Sequence, residues 1–396
     1  MVQVSISSYQ TVALAIVVYY FGKLLKSKIK FLNEYCIPNP VIGGVIFALF
    51  NLFLHETNTA QLVMDTSLQG FFMVMFFTSV GFTASVAVLK QGGKEVIKMV
   101  LLCAVIISLQ DLVGVGLAKV FGLQPLLGLC AGSIPLIGGH GTSGAFGPML
   151  EGMGVTSATT VALAFATFGL IMGSLMGGPL ARNLIKKHNL HGEDSGEDMT
   201  GVDKEAVIPL VPERFMLGQG QLFMAMGLGT ILTKLFIELH IVFPGYIGAM
   251  LVAAIFRNAS DITKKFEIPI PEIQCVGAVA LNVFLSMALM TLRIWELFGL
   301  AGPLSVMALV QTLVMAIFAY FLVYFVMGKG YEAAVMVSAM CGFGMGATPN
   351  AMANMSAITA KFGHAPRAFF VVPLVGGLFV DFVNSSIITV FVNLFK

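Results

Sequence analysis

Two glycine-crowded stretches carry the residues best suited to hold a small charged molecule in this 396-residue chain. The first is Gly138-Gly139-His140-Gly141-Thr142, within Ser133–Gly154, which holds seven glycines together with Pro135 and Pro148. The second, Cys341-Gly342-Phe343-Gly344-Met345-Gly346-Ala347-Thr348-Pro349-Asn350, follows about two hundred residues later. Both segments are apolar enough to enter a bilayer, yet too rich in Gly and Pro for one continuous helix. Bare backbone at membrane depth is tolerated only where protein buries it or water lines it. Each stretch therefore reads as a hairpin that dips into the membrane and turns at its tip. Helix N-termini at a tip suit carboxylates, carbonyl ends suit a cation such as Na⁺, and glycine lets the backbone approach a ligand closely. Two tips entering from opposite faces would meet near the midplane and form one site for a charged solute and a co-ion.

The candidate solute-binding residues are Ser133, Gly139, His140, Gly141 and Thr142 at the first tip, and Gly346, Ala347, Thr348, Asn350 and Asn354 at the second. The His140 ring could donate to a carboxylate or simply brace the turn. The hydroxyls of Thr142, Ser143 and Thr348 could serve ion or solute, or satisfy their own turns. Asn350 and Asn354 could bind solute or cap the following helix. Asp381 falls inside the last apolar run with Asn384 three residues on, hence on the same helical face. A carboxylate at that depth usually faces a cavity or an ion path. Asp381, Asn384, Thr348 and Gly344 are accordingly the Na⁺ candidates, with Asp381 alternatively a partner for an ammonium group or a structural hydrogen-bond acceptor. Gln110 and Asp111 are secondary candidates along with Ser143, since nothing in the sequence pairs Asp111 with a hairpin. Arg293, beside Trp295 and Glu296, is an interfacial anchor or, facing inward, a carboxylate ligand.

The elements that must position these residues are membrane helices. Hydrophobic residues make up 57% of the chain and charged ones 11%, against about 25% charged in a soluble domain. Apolar runs of about twenty residues recur throughout. Spans are expected at 9–26, 38–54, 68–89, 96–121, 155–186, 216–239, 243–256, 272–297, 303–327 and 366–394, making ten crossings. The interrupted segments near 125–153 and 333–358 come in addition. Five cysteines (36, 103, 130, 275, 341) sit in or beside apolar runs without metal-type spacing and read as free thiols. The first apolar run lacks basic residues before it and reads as a retained helix, not a signal peptide. No P-loop, His-Glu-x-x-His or Cys-x-x-Cys occurs, and Gly342-Phe343-Gly344-Met345-Gly346 follows no strand, so its likeness to a nucleotide loop is noise. A net charge of +2 gives no reason to expect nucleic acid.

Lysine and arginine positions set the expected topology. With the N-terminus outside and each interrupted segment re-entrant, 18 of the 22 basic residues face the cytoplasm. Lys119, Lys234, Arg293 and Lys396 are left outside or near the outer edge. If either segment crossed fully, the bias would collapse. The polar stretch 188–214, with seven acidic residues, reads as a cytoplasmic linker. It separates a first five-helix half (1–187) from an inverted second half (215–396), both termini lying outside. Thr142, Ala145 and Met149 match Thr348, Ala351 and Met355 at one constant offset, and Pro40 with Gly44 matches Pro244 with Gly248 at a nearly equal one, as an inverted repeat requires.

These residues resemble the bacterial sodium/glutamate symporter family. The likeness is carried by Ala131-Gly132-Ser133 leading into the first tip and by Cys341-Gly342-Phe343-Gly344 running to Ala347-Thr348-Pro349. Phe168-Gly169-Leu170, Gly177-Gly178-Pro179, Leu285-Ser286-Met287-Ala288-Leu289-Met290 and Val371-Val372-Pro373 with Asp381 and Asn384 extend it over nearly the whole chain. The resemblance implies Na⁺-coupled uptake of L-glutamate, a homodimer, and an elevator motion in which a hairpin-bearing part slides against a scaffold.

The expectation is thus an all-α polytopic inner-membrane symporter, with Na⁺ as coupling ion and no organic cofactor. Its alternative within transport is a H⁺- or Na⁺-coupled carrier of another dicarboxylate, such as aspartate or a citrate-like solute. A passive channel would need a continuous polar lining, whereas polar residues cluster at the two tips. An intramembrane enzyme would need a nucleophile–base pair, and none is recognisable.

Overall fold

The structure, a computed structural model, describes residues 2–34, 37–87, 93–192, 211–238 and 245–396. Cys36, Lys90, Lys204, Pro244 and most of the expected linker lie outside the described residues. The first part of the chain forms α1 (Ser8–Lys28), α2 (Lys30–Glu34), α3 (Asn39–Glu56), α4 (Ser67–Gly81) and α5 (Gly93–Val120). An interrupted group follows, α6 (Pro125–Leu129), α7 (Ser133–Leu136) and α8 (Gly139–Gly152), and then the long α9 (Ala158–Lys187). Beyond residue 211 come α10 (Pro212–Glu238), α11 (Ile247–Thr263), α12 (Ile270–Met290), a 3₁₀ segment (Ile294–Leu300) and α13 (Ala301–Ile317). The last continues through a π-helical stretch, Phe318–Val323, into α14 (Tyr324–Val326). A second interrupted pair, α15 (Tyr331–Gly344) and α16 (Thr348–Phe362), precedes α17 (Pro366–Leu378) and α18 (Val380–Phe395).

Among the described residues, seven helices are long and apolar enough to cross a membrane, or eight if the bent pair α17–α18 counts as one span. The protein is therefore a polytopic helical membrane protein. The expected run at 366–394 is not one straight helix: its two pieces meet at 47°. Gly376 and Gly377 precede the bend, where helix propensity is lowest. The expected span 272–297 also ends sooner, at Met290, which leaves Arg293 in the connection beyond it. One feature is not helical. β1 (Val2–Ile6) pairs in parallel with β2 (Ala60–Met64), Val2 opposite Ala60 and Ile6 opposite Met64. A parallel pair needs a long crossover, which α1 to α3 supply.

The helices pack in two sets. One contains α1, α3, α4, α10, α11 and α12; the other contains α5, both interrupted groups, α9, α13, α17 and α18. Within the six-helix set, glycines let helices cross at backbone distance. A Cβ on Gly43 would overlap the Val18 carbonyl, and one on Gly22 the Asn39 carbonyl, at the α1–α3 crossing. The same device recurs where Gly229 and Gly248 meet between α10 and α11. In lipid, where no hydrophobic drive pulls helices together, such close approach is what dispersion forces need.

In the second set α9 is the spine. Gly169, Gly173 and Gly177, four residues apart, lie along one helical face. Against them rest the carbonyls of Met345, Cys341 and Ser338 of the second interrupted pair. Side chains at these three positions would push that pair away.

Gly43→Ala should destabilise the purified protein by about 1–3 kcal/mol, as overpacking does, and lower its melting temperature. Gly116→Ala, with open space around the added methyl, should leave it unchanged or raise it. Equal melting of both variants would contradict the close α1–α3 crossing.

Candidate functional site

The interruptions of the helices converge. Gly138–Thr142 at the start of α8, Gly346–Pro349 at the start of α16, and Gly376, Val380 and Asp381 around the α17–α18 bend line one cavity of about 240 Å³. That is below the roughly 300–1,000 Å³ of sites for drug-sized molecules and suits a smaller solute. The rest of its wall is apolar: Ile137, Leu170 and Phe343 beside the tips, and from the six-helix set Phe76 and Phe77 of α4, Leu281 and Leu285 of α12, and Pro38 before α3.

The two tips touch. Gly139 has φ +59°, a left-handed conformation that glycine adopts without strain, and a Cβ there would lie 3.4 Å from the Gly346 carbonyl oxygen. At the bend, a Cβ on Gly376 would come within 2.9 Å of the Thr348 hydroxyl, so only glycine leaves Thr348 its place.

The first N–H groups of a helix have no partner in their own helix and carry its positive dipole end. The N-termini of α8 and α16 both border the cavity. Asp381 borders it too, in the first turn of α18, and makes no ion pair among the described residues. The cavity thus combines two electropositive helix ends with one carboxylate.

The expected site residues divide into those that reach this cavity and those that hold it. Gly139, His140, Gly141, Thr142, Gly346, Ala347, Thr348 and Asp381 line it. His140 does both: its Nε2 lies 3.0 Å from the Thr167 hydroxyl, which in turn donates to Leu163 O on α9. Ser143 lies behind the tip and donates to Gly139 O at 2.7 Å and Ala162 O at 3.3 Å. Asn350 does not cap α16, whose N-cap is Ala347. Its amide donates to Leu170 O at 2.9 Å and the Ser174 hydroxyl at 2.8 Å, tying α16 to α9. Asn354 ties α16 to α9 through Gly173 O at 2.9 Å and to α15 through Ser338 O at 3.1 Å.

Gly344 is buried, and its carbonyl accepts from Gln110 Nε2 at 2.9 Å. Asn384 is fully buried and donates to Ser133 O at 3.3 Å. The four expected Na⁺ candidates are therefore split, Thr348 and Asp381 at the cavity and Gly344 and Asn384 behind it. Asp111, which nothing in the sequence linked to a hairpin, is bonded to the first one. It accepts from Ser133 N–H at 2.8 Å and from the Ser133 hydroxyl at 3.0 Å.

Arg293 is elsewhere. It is 67% exposed, pairs with Glu296 at 3.4 Å, and lines a larger cavity of about 660 Å³ with β2 and the stacked His55 and Trp295 rings.

The sequence reading missed the apolar wall and the bend. Gly376-Gly377, three residues after Pro373 inside an apolar run, was the available signal for the bend. Nothing local singles out Phe76, Phe77, Leu281 and Leu285, whose role comes from the partner they face.

Asn350→Ala should cost about 1–3 kcal/mol, because it removes two buried hydrogen bonds. It should lower the melting temperature, whereas Thr348→Ser, confined to the cavity, should stay near the parent. Similar melting of all three proteins would mean that α16 does not depend on its ties to α9.

Comparison with known proteins finds relatives over nearly the whole chain. The family model described as "Sodium/glutamate symporter" matches residues 4–364. The sodium/glutamate symporter of Escherichia coli (strain K12) is 38% identical over 388 residues, covering 97% of each chain. That of Haemophilus influenzae is 36% identical over 391 residues, covering 97% of this chain and 96% of its own. A family match over most of the length, with relatives this similar from end to end, shows that the chain belongs to the sodium/glutamate symporter family.

Proposed function

We propose that this protein is a secondary symporter that couples inward Na⁺ movement to uptake of L-glutamate across the cytoplasmic membrane. The observation that carries the solute assignment is the charge pattern of the cavity. Each helix N-terminus is equivalent to roughly +0.5 elementary charge. The α8 and α16 ends would each take one carboxylate, and Asp381 would take the ammonium group. Two positive ends and one carboxylate complement an amino acid with two carboxylates. A citrate-like solute has no ammonium to offer Asp381, so the pattern disfavours it. Aspartate has the same groups on a shorter chain, and the apolar wall of Phe76, Phe77, Leu281 and Leu285 sets the length that fits.

The solute-binding residues in this reading are Gly139, His140, Gly141, Thr142, Gly346, Ala347 and Thr348, with Asp381 for the ammonium. Ser133, Ser143, Asn350 and Asn354 position the tips, and Arg293 is assigned no part in the deep site.

We further infer ten crossings in two inverted five-helix halves, 1–187 and 215–396, joined by a cytoplasmic linker at 188–214. Both termini lie outside, and the two interrupted groups re-enter from opposite faces. Helix lengths support re-entry. α8 and α15 have 14 residues each and α16 has 15, about 21–23 Å at 1.5 Å per residue. Each falls short of a ~30 Å hydrocarbon core. The cytoplasmic excess of Lys and Arg supports the orientation, and the recurring glycine crossings at α1–α3 and α10–α11 support the repeat. The division into two packed sets supports an elevator, in which the six-helix set stays fixed in a homodimer and the other set carries the site across. Its apolar wall offers the moving tips few hydrogen bonds to break.

In proteoliposomes, glutamate uptake should saturate and vanish when choline replaces Na⁺, whatever the imposed proton gradient. Asp381→Asn should weaken the apparent affinity for glutamate by roughly a hundredfold or more, the cost of unpairing a buried charge. Inhibition by glutarate, which lacks the ammonium group, should be retained or improved in that variant. Equal loss of both ligands would remove Asp381 from ammonium binding, and uptake indifferent to Na⁺ would overturn the coupled reading.

A further inference from the structure

Behind the solute cavity, α5, α7, α13 and α18 enclose a cluster of oxygen atoms with too few donors. Asp111 is fully buried and forms no ion pair among the described residues. Its carboxylate receives only the Ser133 N–H and hydroxyl, leaving acceptor capacity over on both oxygens.

Three amide side chains, on α5, α13 and α18, bond to backbone carbonyls of α15, α5 and α7. Gln110 gives its NH₂ to Gly344 O, Gln311 gives its NH₂ to Gln110 O at 2.8 Å, and Asn384 gives its NH₂ to Ser133 O. Each is fully buried. Each leaves its side-chain oxygen without a hydrogen-bond partner among the described residues. Buried unpaired acceptors are rare and call for an explanation. Three of them, together with a buried carboxylate that has no ion pair among the described residues, amount to a local shortage of donors.

Gly132 marks the centre. A Cβ on it would lie 2.7 Å from Asp111 Oδ1 and 3.1 Å from the Gln110 carbonyl oxygen. The bare glycine thus lets the backbone before α7 approach the Asp111 carboxylate and the neighbouring Gln110 carbonyl of α5.

We propose that this cluster is a binding site for a small monovalent cation, filled by the coupling Na⁺, with Asp111 as its charged ligand. The Ser133 hydroxyl and the side-chain oxygens of Gln110, Gln311 and Asn384 supply the neutral ligands. Hard cations take such all-oxygen sets, and a cation removes the cost of an isolated charge at membrane depth.

The location also explains coupling. Asp111 holds the first tip through Ser133, Gln110 holds the second through Gly344, and Asn384 lies one helical turn from Asp381 in the solute cavity. An ion here draws together the groups that fix both tips and so presets the solute site. The proposal rests on the Na⁺-coupled reading only for the identity of the ion.

The test uses purified full-length protein without glutamate, with NaCl exchanged for choline chloride at constant ionic strength. Melting temperature and ²²Na⁺ binding are both read. The wild type should melt higher as Na⁺ rises and should bind ²²Na⁺. Asp111→Asn should shift the Na⁺ midpoint at least tenfold or abolish the response, while the same response survives in Asp381→Asn.

Should Asp111→Asn fail to fold, Ser133→Ala and Gln311→Met decide the matter. Each should raise the Na⁺ midpoint fivefold or more, and unchanged midpoints in both overturn the site. An Asp111→Asn protein with the wild-type midpoint overturns the site while leaving Na⁺ coupling intact. A wild type that ignores Na⁺ removes the coupled reading itself, and with it the proposal. Stabilisation by low pH instead of Na⁺, lost in Asp111→Asn, would make the cluster a proton site and overturn the cation assignment.

Discussion

A helix interrupted in an apolar environment exposes N–H and C=O groups that lipid cannot satisfy, and the rest of this molecule follows from how they are paired. The two kinds of group are treated differently. The carbonyl that ends α15, at Gly344, is closed by the amide of Gln110, and the Ser133 carbonyl, which already accepts from the Ile137 and Gly138 N–H groups, also receives the amide of Asn384. Asn350 and Asn354 secure the returning helix against α9. Buried Gln and Asn side chains thus spend their donors on carbonyls, while the N–H ends of α8 and α16 border the cavity. What those helix ends offer the cavity is electropositive, in a lining that contains no lysine or arginine.

The same constraint shows why parts of this arrangement were legible in the amino-acid sequence. Glycine and proline density inside apolar runs marks an interrupted membrane helix directly, so both tips and their lining residues could be named at 138–142 and 346–348. The Asp111–Ser133 pair spans 22 residues and two helices, and a side chain's direction across that gap is a tertiary fact. Asn350 looked like a cap because it follows Pro349 at a helix start. The depth of packing against the Gly169–Gly173–Gly177 face decides that it binds α9 instead. The bend at Gly376–Phe379 was hidden because an apolar run with two glycines still reads as one span, and only Thr348 pressing on Gly376 gives those glycines a purpose.

The division of labour between the two sets is also physical. The six-helix set is locked by backbone-distance crossings, and Arg214 adds a clamp to Glu272 at 2.9 Å and to Glu267 at 2.8 Å. Where it meets the tips it offers rings and leucines. Tyr246 stacks on Phe77 with centroids 3.8 Å apart and reaches Ser385 of α18 at 3.2 Å. Such a wall contributes exclusion and shape, while hydrogen bonding and charge stay with the set that holds the tips.

Adjacent residues on a helix point about 100° apart, since 3.6 residues complete a turn. Gln110 and Asp111 use that angle: one side chain reaches the second interrupted pair and the next reaches the first. A single rigid helix therefore clasps both tips at neighbouring positions, and Gln311 of α13 fastens to the Gln110 carbonyl from a third direction. Neither tip can shift without moving a group that also bears on the other. The approach of Gly139 to Gly346 at the cavity is thus held from behind by α5.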